Sequence, residues 1–236
     1  AVYRVNLKEL HIYKEKLLQM IKIGVPAGIQ SATFSISNVL IQSTINSFGS
    51  IAMAGSTAGG NIEGFVWTAM DAFTQSTLSF TGQNYGAKKF HRITKVVWYN
   101  LGLVTVVGLV LGIGAYLVGP WVLQVYSSDP EVIAYGLERM LLVCTPYALC
   151  GVMNVLVGAM RGLGSSLTPM VVSIFGVCVL RVVWIYTVFP LDPSFAMLFL
   201  SYPVTWAVTA AIEVVCFFVI RKKAIARAGG MAADAD

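Results

Sequence analysis

Glu63 and Asp71 are the residues of this sequence with the most chemistry to offer, because both fall inside an apolar segment, roughly Ala58–Thr81. They belong to a series spaced by four: Glu63, Trp67, Asp71, Gln75 and Ser79. Each step of four drifts about 40° around a helix, so the series forms one slowly rotating stripe with its carboxyls about 12 Å apart along the axis. An ionised, unpaired carboxyl is strongly disfavoured in hydrocarbon. Each acid must therefore be protonated, paired or facing water. Any of these states suits a group that takes up a proton or coordinates a driving cation. The plainer reading is a buried acid hydrogen-bonded to neighbouring Ser, Thr or Asn.

Other polar residues fall in apolar surroundings. Gln30, Asn38 and Gln42 sit in the first long segment among many Ser and Thr residues, with no charged neighbour after Lys22. With Trp67 and Gln75 they are candidates for the wall of a water-filled cavity, although small polar groups also serve helix packing. Trp67 and Phe73 offer aromatic faces to a cationic substrate, with core packing the plainer role for Phe73. Arg181, within GVCVLRVVW, needs a counter-charge or a cavity. Asp71 and Glu213 are its candidate partners, and Arg181 and Glu213 read as structural. Glu138 and Arg139 read as a solvated pair near the outer end of their segment. Pro146 and Pro203 each remove an intrahelical bond and are expected to kink their helices. Pro26 is expected in a first turn, where its missing N–H is harmless.

These residues need long helices to position them. Of 236 residues, 57% are hydrophobic and only 11% charged, with mean hydropathy +0.75. That composition excludes a disordered chain and an ordinary soluble domain, which carries about 25% charged residues. Six segments have spanning length: roughly Ile23–Phe48, Ala58–Thr81, Ile93–Val118, Val132–Met160, Leu167–Phe189 and Phe195–Ile220. Continuous apolar runs such as Leu101–Leu111 exclude a barrel, whose strands alternate. The first segment begins too far along the chain for a signal peptide. The expected fold is therefore all-α, a membrane bundle of six helices. Residues 1–22 form an amphipathic cytoplasmic lead-in or linker, 23–220 the bundle, and 221–236 a cytoplasmic tail that is small, polar and unstructured from Arg227.

Lys and Arg fall on alternate connections: before the first span, between the second and third, between the fourth and fifth, and after the sixth. This bias places both termini in the cytoplasm, in a cell membrane of bacterial inner-membrane type. It also accounts for the net charge of +5 without nucleic acid. Cys144, Cys150, Cys178 and Cys216 lie in apolar runs without metal-ligand spacing. No HExxH, GxSxG or Walker pattern occurs, so neither an enzyme nor a resident cofactor is expected, and the identity of any bound metal stays open.

Three junction motifs carry a resemblance. Phe80–Ala87 reads FTGQNYGA and is followed by Lys88, Lys89 and Arg92; Ser47–Gly55 reads SFGSIAMAG; Arg161–Pro169 reads RGLGSSLTP. In this order and at these junctions they resemble the multidrug and toxic compound extrusion (MATE) family, from about Leu17 to Lys223. The resemblance implies the second of two six-helix lobes in a twelve-helix transporter, with a missing N-terminal lobe or a homodimer partner completing it. It implies export of cationic or amphiphilic compounds by alternating access, driven by protons or sodium ions. Sodium-coupled members place acids on the first and fourth helices of this lobe. Here the first span has none and the fourth none at mid-membrane, so Glu63 and Asp71 are the candidate replacements. A lipid-linked oligosaccharide flippase and a non-transporting assembly subunit are the alternatives. The flippase would favour a cationic cavity, and the subunit would survive loss of the polar stripe.

Overall fold

Long runs of apolar and small residues, punctuated by glycine and proline, dictate long helices with short turns. The computed structural model describes residues 11–233, so part of the expected lead-in (residues 1–10) and the end of the tail (234–236) lie outside the described residues. The elements are α1 (Lys14–Asn46), α2 (Ser50–Gly86), α3 (Phe90–Leu123), α4 (Pro130–Val143), α5 (Tyr147–Gly162), α6 (Leu167–Ser173), α7 (Leu180–Thr187) and α8 (Phe195–Ala233). A π-helical segment, Ile174–Val179, joins α6 to α7, and a 3-10 turn, Phe189–Leu191, follows α7. Gly49, at φ 96°, permits the tight turn between α1 and α2. Asp129 accepts the Glu131 N–H at 2.9 Å and Pro130 follows it, which together start α4.

The connections gather at two ends. At one end the Tyr85 hydroxyl donates to the Ala224 carbonyl at 3.4 Å, and Lys22, Gly164, Lys223 and Arg227 border one surface pocket. At the other end Phe48 makes edge contacts with Phe189 and Phe195, at 6.1 and 5.6 Å between centroids. With α4–α5 taken as one bent span and α6 to α7 as another, successive spans alternate in direction, and the Lys- and Arg-rich connections share one end.

Several boundaries differ from expectation. The lead-in does not form a separate element, because α1 runs unbroken from Lys14 and the boundary at residue 22 falls inside it. Pro26 is consequently interior rather than in a first turn. The tail beyond Arg227 continues α8 as helix to Ala233. Pro203 likewise sits inside a continuous α8, and no break forms there. At Pro146, by contrast, the expected fourth span divides into α4 and α5, bent by 47°.

The count of six apolar spans is not reached. Phe90–Leu123, Leu167–Leu191 and Phe195–Arg227 are long and apolar enough to cross a membrane, and the bent pair α4–α5 makes a fourth. α1 and α2, of 33 and 37 residues, have ample length. Their many amide, hydroxyl and acidic side chains are what lower their apolarity. The hydroxyls of Thr33, Thr44, Thr57 and Thr68 donate to carbonyls four residues back, at 2.8, 3.2, 2.8 and 2.9 Å. Those groups are satisfied within their own helix.

The core lies where α2, α3, α5 and α8 meet, around Met70, Val104, Met153, Val155 and Phe199. Small residues let these backbones approach closely. A Cβ on Gly112 of α3 would collide with the Cys144 carbonyl at the α4–α5 break. Gly112→Val should therefore overpack the site and lower stability by about 1–3 kcal/mol. Gly114→Ala, which meets nothing within 4 Å, should be neutral or slightly stabilising. Thermal unfolding of the two variants beside wild type measures the difference.

Candidate functional site

A cavity of about 420 Å³ opens between α1, α2, α4, α5, the π segment, α7 and α8. Its central contact is an ion pair: Arg139 Nη2 donates to Glu63 Oε2 at 2.7 Å. Arg139 Nη1 donates to Ser56 at 2.8 Å, and the Tyr147 hydroxyl donates to Glu63 Oε1 at 3.4 Å. Gly60 makes room for the guanidinium, because a Cβ there would lie 3.1 Å from Arg139 Nη2. Both side chains remain about 15% exposed, at 14% for Arg139 and 15% for Glu63, because the cavity opens beside them.

An aromatic row on α8 reaches the cavity, with Tyr202 and Trp206 at its wall and Phe195 and Phe199 continuing the row beyond it. Phe195, Phe199, Tyr202 and Trp206 recur at steps of four, three and four, which puts them on one face of α8. Successive rings lie 4.8, 5.7 and 5.6 Å apart. Tyr147 meets Trp206 edge-on at 5.3 Å. Two guanidiniums lean on this ladder: Arg139 over Phe199 at 5.1 Å and Arg181 over Tyr202 at 3.9 Å. Cation–π contact is strongest where water is excluded.

The expected site residues divide. Glu63, Trp67 and Asn38 line the cavity. Gln75 does not: it is exposed, on the far side of the stripe. The reason is the drift of that stripe, which over three steps from Glu63 amounts to about 120°. Asp71 is half-buried, lies outside the cavity and makes no ion pair among the described residues. Gln42 bonds Asn46 at 3.4 Å and lies outside the cavity. Gln30 is buried and accepts from Arg161 Nη2 at 2.7 Å, so it fastens α1 to α5 instead of facing substrate.

Arg181 pairs with neither proposed acid. It lines the cavity, buried, with Nη2 3.4 Å from the Thr205 hydroxyl. Glu213 is fully buried elsewhere. Its Oε1 accepts from Ser173 at 2.9 Å and its Oε2 has no partner. Glu138 and Arg139 do not pair, because adjacent residues on a helix point about 100° apart. Arg139, Tyr147, Tyr202 and Trp206 were not among the expected site residues. Two features point to them: Glu63 requires a cation, and the rings of α8 repeat on one face. Among the described residues no group of three or more His, Cys, Asp or Glu is placed to hold a metal ion.

The junction motifs fall between α1 and α2, α2 and α3, and α5 and α6. The MatE family model matches residues 26–187. The chain belongs to the MATE family. It is 27% identical over 168 residues to the probable multidrug resistance protein YoeA of Bacillus subtilis, covering 71% of this chain and 36% of that protein. It is 29% identical over 162 residues to the probable multidrug resistance protein NorM of Aromatoleum aromaticum, covering 66% and 34%. A crystal structure of MATE in complex with MaL6 superposes with TM-score 0.83 at 15% identity, covering 93% of this chain and 50% of that one. Vibrio cholerae VcmN in the bent form gives 0.81 at 19%, covering 92% and 49%. The chain thus spans about half the length of the solved MATE chains and about a third of the curated relatives. These relatives are transporters rather than enzymes, and the MATE fold is an all-helical membrane architecture.

In this MATE chain the Glu63–Arg139 pair has a measurable consequence. Glu63→Gln leaves Arg139 half-enclosed without its carboxylate and should lower stability by about 3 kcal/mol. The double variant Glu63→Leu with Arg139→Met should recover most of that loss, because an apolar pair of similar volume removes both desolvation penalties. Denaturation of wild type, Glu63→Gln and the double variant, beside Glu63→Leu and Arg139→Met singly, checks both statements.

Proposed function

We propose that this chain forms one wall of an ion-coupled efflux pathway, which exports amphiphilic aromatic compounds by alternating access in exchange for protons or sodium ions. The observation that supports it most is the position of the Glu63–Arg139 pair on an aromatic-lined cavity. A cation entering the cavity competes with Arg139 for Glu63. Once Glu63 is neutralised, the ion pair joining α2 to α4 is lost, and α4 is already hinged to α5 at Pro146. Cation binding and helix movement are then one event. The substrate's rings stack among Trp67, Tyr147 and Trp206, which sit at the cavity wall. Asp71 is a second acid farther along α2, on the face turning out of the cavity.

The exposed amides of α1 and α2, Gln42 and Gln75 among them, would be poorly tolerated by lipid. They support a completing partner on that face: a second lobe of the same protein or a second copy of this one. The basic end supports an orientation with both termini in the cytoplasm of a bacterial inner membrane. No coupling metal or cofactor is required in the resting arrangement, because Arg139 occupies the carboxylate that a cation would take.

Efflux from proteoliposomes containing the full-length protein tests this reading, with ethidium and naphthoate as probes and an imposed proton or sodium gradient as the drive. Wild type should export at least one probe only when a gradient is present. Glu63→Gln should abolish gradient dependence, and Asp71→Asn should slow export without uncoupling it. Export by Glu63→Gln that still follows the gradient would remove Glu63 from the coupling.

A further inference from the structure

The charges on the cavity wall do not cancel. Arg139 and Arg181 stand against one carboxylate, Glu63, and that carboxylate is already engaged by Arg139 at 2.7 Å. Arg181 is left over. It is 3% exposed, its Nε has no hydrogen-bond partner, and its nearest polar contact is the Thr205 hydroxyl at 3.4 Å. That hydroxyl is itself directed to the carbonyls of Ser201 and Tyr202, at 2.8 and 3.0 Å. The remaining support is the face of Tyr202 at 3.9 Å. A guanidinium held away from water with no counter-charge is an anion site in waiting, because its planar fork matches the two oxygens of a carboxylate or sulfonate.

The surroundings specify the rest of the ligand. Trp206, Tyr202, Tyr147 and Trp67 supply flat apolar surface on the same cavity. The amides of Asn38 and Asn154 supply neutral polar contacts at its wall. A volume of about 420 Å³ is of the size that encloses a compact multi-ring compound. We propose that Arg181 anchors the acidic group of an aromatic anion, so that this cavity selects aromatic carboxylates and sulfonates over cations of the same shape. The inference rests on the cavity being the substrate site. It also reverses the charge preference that the sequence alone suggests.

Three probes with a shared ring system separate charge from shape: naphthoate, naphthamide and naphthylmethylammonium. Their affinities for the purified full-length protein are measured by isothermal titration, which requires no transport. Naphthoate should bind about tenfold or more tighter than naphthamide, the advantage expected of a charge-assisted pair. The ammonium should bind weakest. Arg181→Gln should bring naphthoate down to the level of the amide, and Arg181→Lys should retain part of the preference. Should Arg181→Gln fail to fold, the wild-type ranking decides alone. Equal affinities, a preference for the ammonium, or an unchanged preference in folded Arg181→Gln would overturn the proposal. Gradient-driven ethidium export without anion preference would sink this inference and leave the efflux reading standing. Anion preference without any gradient-driven export would do the reverse.

Discussion

One ion pair in an apolar bundle constrains the arrangement of this lobe. Glu63 on α2 and Arg139 on α4 meet at 2.7 Å where neither charge has full access to water. In such a place each charge is tolerable only beside the other. The pair therefore fixes the rotation of α2 about its axis, the height of α4 against it, and the glycine-lined approach that lets them meet. Gly55, Gly59 and Gly136 bring the two backbones together, and Gly60 leaves space for the guanidinium. The bend at Pro146 separates α4, which carries Arg139, from α5, whose Tyr147, Met153 and Asn154 line the same cavity.

The aromatic ladder of α8 is the second layer of this design. Its rings carry two guanidiniums that differ in their accounts of charge. Arg139 has an acid, a serine and a ring; Arg181 has a ring and a weakly placed threonine. The first arrangement is closed and the second is open. In the proposed reading this difference separates the tasks of coupling and recognition. The coupling ion acts on the closed pair, and the substrate supplies the charge missing from the open one.

Much of this was legible in the residues, and the failures have physical causes. The helices follow from composition and from the length of the apolar runs. The motifs ending at Ala87 and Pro169 locate junctions that the fold places between α2 and α3 and between α5 and α6. Glu63, Trp67 and Asn38 reach the cavity, but a spacing of four is not a fixed direction, and the accumulated drift carries Gln75 out of it. Apolarity located α1 and α2 as long helices, but did not reveal that α1 runs unbroken from Lys14, nor that Gln42 and Gln75 lie on exposed sides. Pairing was the least legible property. Arg139 lies 76 residues from Glu63, and only the packing of α4 on α2 takes it from its sequence neighbour Glu138 and selects it over Arg181, the cation that the sequence left without a partner.

The central claim is that the coupling cation acts on the carboxylate of Glu63 by displacing Arg139. Isotope-edited difference infrared spectroscopy on the full-length protein observes that group directly. Addition of the coupling ion should change the carboxylate stretch of wild type, giving a new protonated carbonyl band for a proton or a shifted carboxylate band for sodium. The change should be absent from Glu63→Gln. A wild-type spectrum that stays unchanged while gradient-driven export proceeds would contradict the account.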